Sequence, residues 1–234
     1  FFYFRKPLAI PSNIRPVESY FIECVSENVK EASEIAGMQA GYLEMPEFDP
    51  GSEYAPFSSR LNFLGLQVPY WFYISGNNLA KEQKPELIEI EKQFSNYLSK
   101  SIKECNFDSF IEEGYEIEIE GEPIIDVDIK ENSIETNVKW PFIINFGDTT
   151  SKITEHKIAT ESNFGGLYND ANMIFEDEQQ SLFLENYTLD VLRLYAPVTG
   201  VELSCAPKVW EKSEVETEVK EALEGNIGMI KLKG

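Results

Sequence analysis

EGYEIEIEGEPIIDVDIKENSIETNVKWPFIINF, from Glu113 to Phe146, decides the fold class. Tyr115, Ile117 and Ile119 alternate with Glu116, Glu118 and Glu120; Ile125, Val127 and Ile129 alternate with Asp126, Asp128 and Lys130. Ile134, Thr136, Val138 and Trp140 alternate with Glu135, Asn137 and Lys139. A period of two repeated over successive runs marks strands with one wet and one dry face. Gly121-Glu122-Pro123 and Glu131-Asn132 supply turn chemistry between the runs. The expectation is an α+β fold built on an antiparallel β-meander, about residues 113–160, with an acidic outer face and amphipathic helices covering the other.

Those helices are expected on either side of the meander. Pro16 suits a first helical position. Val17, Tyr20, Phe21, Cys24, Val25, Val29, Ala32, Ile35 and Ala36 then follow helical spacing, with Glu18, Glu23, Glu27 and Glu34 on the other face and Gly37 as the stop. A second helix starts near Pro85, with Leu87, Ile90, Phe94, Tyr97, Leu98, Ile102 and Cys105 as its apolar stripe. Between them, Gly41 to Tyr73 is irregular and rich in Pro, Gly and aromatics, with Val68 to Tyr73 (VPYWFY) as a buried strand or hydrophobic loop and a turn at Gly76-Asn77-Asn78. After the meander, Gly165-Gly166 opens a helix with Leu167, Ala171, Ile174 and Phe175 inward. Another helix spans about Ser181 to Tyr195, a strand-like run covers Val198 to Leu203, and Ser213 with Glu216 makes a capping box for a last helix ending at Gly225. The expected domains are 1–16 as the end of a membrane anchor and a proline-rich connector, 17–180 as the main α+β domain and 181–234 as a C-terminal helical and strand extension packed on it.

The chain has 234 residues, a formal charge of −21 and a pI of about 4.4. Phosphates would be repelled, which argues against a nucleic-acid partner, and docking on anionic lipid through a basic patch is disfavoured for the same reason. The opening FFYFRKP, with four bulky apolar residues before Arg5 and Lys6, reads as the last turn of a membrane anchor at headgroup level, followed by the proline-rich connector Pro7 to Pro16. The visible part falls short of the about 20 residues that a span needs. Arg5 and Lys6 on the domain side run against the positive-inside rule.

Three cysteines, Cys24, Cys105 and Cys205, form no C-x-x-C pair, and the single His156 cannot complete a typical zinc site with them. Cys24 and Cys105 fall on helices that would cover the same sheet, so they form either a disulfide or two buried thiols; an oxidising exterior favours the disulfide. Cys205 is left as the odd one.

Glu18 to Tyr42 (ESYFIECVSENVKEASEIAGMQAGY), VPYWFY, Glu104 to Pro123 (ECNFDSFIEEGYEIEIEGEP), Trp140 to Asp148 (WPFIINFGD) and Gly165 to Glu178 (GGLYNDANMIFEDE) together resemble a group of archaeal single-span surface proteins. The resemblance covers about Val17 to Glu178. It implies a pilin-like N-terminal hydrophobic anchor ahead of an extracytoplasmic domain, cysteines at the positions of Cys24 and Cys105, and work as a cell-surface structural protein such as a filament subunit or an adhesion factor. It implies a membrane partner through the N-terminal segment, and self-association.

The chain contains no G-x-G-x-x-G, P-loop, G-x-S-x-G or H-E-x-x-H motif. No catalytic residue, metal or cofactor is assigned, and the expectation is a non-enzyme. His156 is read as a surface or edge-strand histidine. Asp126 with Asp128, and Glu116 with Glu118 and Glu120, could act as paired carboxylates but read as a solvated face. Tyr70, Trp71, Phe72 and Tyr73 are the candidate ligand or assembly surface, and a small-molecule or peptide binding module using residues 41–73 is the alternative function. Asn186 in Asn186-Tyr187-Thr188 is a candidate glycosylation acceptor.

Overall fold

A computed structural model describes residues 10–53, 57–195 and 211–226. In chain order the elements are α1 (Arg15–Met38), β1 (Arg60–Phe63), β2 (Leu66–Pro69), β3 (Phe72–Ile74), β4 (Ala80–Glu82) and α2 (Leu87–Ser101), which tightens into a 3-10 turn at Ile102–Glu104. There follow α3 (Asp108–Glu112), β5 (Glu116–Ile119), β6 (Ile124–Ile129), β7 (Ser133–Lys139), β8 (Phe142–Phe146), β9 (Thr149–Ile153) and β10 (His156–Glu161), then α4 (Phe164–Ser181), α5 (Phe183–Tyr195) and α6 (Lys212–Asn226). The fold is α+β. The chain divides into two compact units, with the boundary after Tyr168, inside α4. In the second unit α5 and α6 pack on each other.

The meander consists of three long antiparallel strands, each broken once at the same level. β5 with β6, β7 with β8, and β9 with β10 are the three runs, and they pair as β5-β8-β9 on one side of the break and β6-β7-β10 on the other. Ile119 opposes Phe142 and Ile124 opposes Lys139, so the first run carries four residues at the break where the second carries two. Pro123 and Pro141 have no N–H to donate, and the ladder lapses where they sit. The alternation survives the break in the first two runs: Tyr115, Val127, Ile129, Ile134, Val138, Trp140, Phe142 and Ile144 all face the core. In the third run the break at Thr154-Glu155 shifts it by one residue. Ile153 is buried, and then His156, Ile158 and Thr160 are buried.

The covering helices lie side by side on one face, α1 against β10 and α2 against β6. Val17, Phe21, Val25, Val29, Ala32 and Ala36 from α1 meet Ile90, Phe94, Leu98 and Ile102 from the second helix in one core with the sheet. Phe21, Phe94 and Phe142 are fully buried there, and truncating any one to Ala would cost about 3–5 kcal/mol. The Glu91 carboxylate accepts from the Ile129 N–H at 2.9 Å, which occupies a donor on the outer strand of the sheet.

Local stops differ from the expectation. Gly37 lies inside α1, and the helix ends where Ala40 and Gly41 take φ of 54° and 93°. Glycine is needed at Gly41 because a Cβ would also meet the Pro85 Cγ at 3.0 Å. Residues 41–73 are less irregular than expected, since β1–β2 is a small antiparallel hairpin within them and β3 starts a second one that β4 completes. Gly165 and Gly166 lie within the first turn of α4, not ahead of it. A Cβ on Gly165 would stand 2.2 Å from the Lys130 carbonyl oxygen, so the helix docks on the β6–β7 turn through glycine. Leu167 and Ile174, expected inward, are 67 % and 43 % exposed, whereas Phe164 and Tyr168 of the same helix pack on the core. α6 begins at Lys212, so Ser213 is already helical and is not an N-cap. The Val198–Leu203 run and Cys205 lie outside the described residues.

Candidate functional site

Cys24, midway along α1, and Cys105, just past the 3-10 turn, form a disulfide with Cα atoms 6.2 Å apart across a sequence separation of 81. The bond joins the two covering helices at their contact. In the chain-entropy account a loop of this length is worth about 4–5 kcal/mol.

His156 is not on the surface. It is 1 % exposed, and its Nδ1 lies 2.9 and 3.0 Å from the two carboxylate oxygens of Glu18, itself 6 % exposed. Its Nε2 donates to the Trp140 carbonyl at 2.9 Å, and the Trp140 indole N–H donates to the Gly121 carbonyl at 3.0 Å. Nε2 faces a carbonyl and must carry a proton, so the imidazole and the carboxylate share one further proton between Nδ1 and Oε. The rings of Phe21 and Phe142 pack on the imidazole at 4.7 and 4.8 Å. Both ring nitrogens are engaged and sealed from solvent. The chain Glu18–His156–Trp140–Gly121 ties α1 to the meander at the level where the strand ladder lapses. Sequence reasoning missed it, although Glu18 stands four residues after Ile14 and three before Phe21, on the apolar stripe.

The acidic outer face carries Asp126, Asp128 and Glu135, which line an open depression of about 320 Å³ with Asn137 and Lys157. Lys130 pairs with Asp128, and Asn137 donates to Glu155 at 2.8 Å. Among the described residues no group of three or more His, Cys, Asp or Glu is placed to hold a metal ion. Gly165-Gly166 does not present a free anion cradle, because the Gly166 N–H donates to the Glu131 carbonyl at 3.0 Å.

The aromatic set divides. Trp71 is half-buried and donates to the Ala40 carbonyl at 2.8 Å, with its ring 6.0 Å from that of Tyr168. Tyr73 is buried, and its hydroxyl donates to Asp49 at 3.2 Å. Lys81 bonds the same carboxylate at 2.7 Å, and that bond, with a smaller part from Tyr73, holds the Asp49 carboxyl below its usual range against the opposing effect of burial. Tyr70 and Phe72 are the exposed members, at 37 % and 40 %. The four therefore do not converge on one cavity. Alternation along an extended run sends two inward and two outward. Asn186 lies exposed in the first turn of α5, its side-chain amide donating to the Ser181 carbonyl at 3.2 Å.

No described helix is long and apolar enough to cross a membrane, and residues 1–9, on which the anchor reading rests, lie outside the described residues. Comparison with protein-family models, with curated proteins and with solved structures found no match.

Proposed function

We propose that this chain is the extracytoplasmic part of a membrane-tethered surface or assembly protein that works by shape and contact, as a filament subunit or an adhesion factor. The observation that carries the reading is the Cys24–Cys105 disulfide. Such bonds persist in oxidising compartments and are rare where glutathione and thioredoxin keep thiols reduced. The charge of −21 suits an exposed, solvated body and disfavours nucleic acid as a partner. A helix of 24 residues laid on an antiparallel meander is compatible with the pilin-like resemblance carried by the motifs between Val17 and Glu178.

The test is labelling of intact cells that express the chain with its native N-terminus, using a membrane-impermeant amine reagent. The reading expects labelled lysines on the folded domain before lysis, and the protein in the membrane fraction. Labelling only after lysis would sink it. The alternative of a binding module in residues 41–73 is not favoured, because Tyr70 and Phe72 are exposed apart from the inward Trp71 and Tyr73.

A further inference from the structure

From Tyr54 to Lys81 the sequence holds no Asp or Glu, in a chain with 41 of them. The β1–β2 hairpin sits inside that acid-free stretch. Its register pairs Leu61 with Val68 and Phe63 with Leu66, and directly opposed residues share a face. One face is therefore Leu61, Phe63, Leu66 and Val68, while the other carries Asn62 opposite Gln67. Such an amphipathic ribbon should turn its apolar face to a core. Here Leu61, Phe63 and Leu66 are 42 %, 57 % and 38 % exposed, and Leu64 at the tip is 90 % exposed.

Leu64 and Gly65 form the two-residue turn with φ of 51° and 89°. Positive φ at both positions is what Asn-Gly or Asp-Gly accommodates in a tight hairpin, and Leu is strained there. A leucine both strained and exposed is costly in the isolated chain on two counts, which points to a contact made elsewhere.

We propose that the apolar face of this hairpin is a self-association surface, on which a second copy docks its own hairpin about a two-fold axis. The face is self-complementary, as an isologous contact requires. Two copies each carrying −21 repel over most of their surface, and the acid-free hairpin is where they approach at least electrostatic cost. With roughly 200 Å² for a fully exposed Leu or Phe, Leu61, Phe63, Leu64 and Leu66 leave roughly 450 Å² uncovered per copy. That is about half of what a stable dimer buries on each side, so the contact is weak in solution and gains strength in an array. A bilayer is the less suitable occupant. Two residues after the hairpin ends at Pro69, the Trp71 indole N–H donates to the Ala40 carbonyl, past the C-terminal end of α1. An N-terminal tether would enter at the other end of a helix roughly 36 Å long. Setting the bilayer aside rests on the tethered reading; the charge argument does not.

The experiment is sedimentation velocity of the full chain from about 1 μM to about 500 μM, bracketing the affinities expected of a small interface, at about 0.15 M and about 1 M salt, where screening lengths fall from ~8 to ~3 Å. A reversible dimer that tightens at high salt is expected. Phe63→Glu should weaken it at least tenfold, and Leu64→Asn should weaken it without lowering the thermal midpoint. Monomer throughout, or a dimer indifferent to both variants, overturns the proposal. So does Phe63-dependent flotation of monomer with phosphatidylcholine vesicles. The tethered reading stands or falls on cell labelling, which these variants leave untouched.

Discussion

The buried pair Glu18–His156 should be among the most sensitive points in the fold. Glu18→Leu leaves Nδ1 of a 1 % exposed imidazole facing a side chain that can neither donate nor accept. His156→Leu leaves a carboxylate that is 6 % exposed without its partner and frees the Trp140 carbonyl. Breaking a buried ion-paired contact from one side costs about 3–5 kcal/mol, because the remaining charge is uncompensated. Removing both partners in favour of well-packed apolar groups restores most of the loss. The double variant Glu18→Leu/His156→Leu should therefore be no worse than either single one, with a coupling energy of at least about 2 kcal/mol. Urea unfolding with a slope of about 2 kcal/mol/M would show the single variants as midpoints lowered by roughly 1.5–2.5 M. Single losses below about 1 kcal/mol that simply add would show that the two side chains are not coupled. They would mean that the carboxylate and imidazole are solvated or otherwise paired in the folded chain.

Other expectations follow from the same geometry. Gly165→Ala should destabilise by about 2–3 kcal/mol, since the new methyl would collide with the Lys130 carbonyl carbon and oxygen, both backbone atoms. Gly37→Ala, in a helical position with nothing within 4 Å, should instead stabilise by about 0.5–1 kcal/mol, and thermal melts of the two variants check the contrast. Burial, with a further push from Glu89, raises the Tyr42 hydroxyl to about 12, while it donates to the Gln83 carbonyl. The raised value means its contribution is whole below the ordinary tyrosine pKa near 10 and is lost as pH climbs towards 12. Wild type should lose about 1–2 kcal/mol more than Tyr42→Phe between those limits, measured by urea midpoints against pH.

How far the fold could be read depended on whether local pattern and tertiary environment agreed. The meander was legible because its inward residues keep a strict period of two through the first two runs, even across the proline-marked breaks. The covering helices were legible from Val17, Phe21 and Val25 and from Ile90, Phe94 and Leu98, and the disulfide followed from cysteines on two helices sharing one slab. His156 lies on an edge strand, as expected, but it and Glu18 were placed on the surface because charge was read as exposure. Unbroken alternation from Ile153 would also have sent His156 outward, and the one-residue shift at Thr154-Glu155 reverses it. The β1–β2 hairpin was hidden because its turn has Leu64 where Asn or Gly would have announced it. In α4, helical periodicity named Leu167 and Ile174 as inward, but the residues that reach the core are Phe164 and Tyr168.

α1 and the chain following α2 are joined by the Cys24–Cys105 disulfide, and the proposal that the chain works outside the reducing cytosol rests on that bond. Peptide mapping of the protein from its native cells, alkylated during lysis and digested without reductant, shows whether the bond is present there. A linked pair of peptides carrying Cys24 and Cys105, separated only after reduction, is expected. Recovery of both cysteines as alkylated thiols on separate peptides would contradict it.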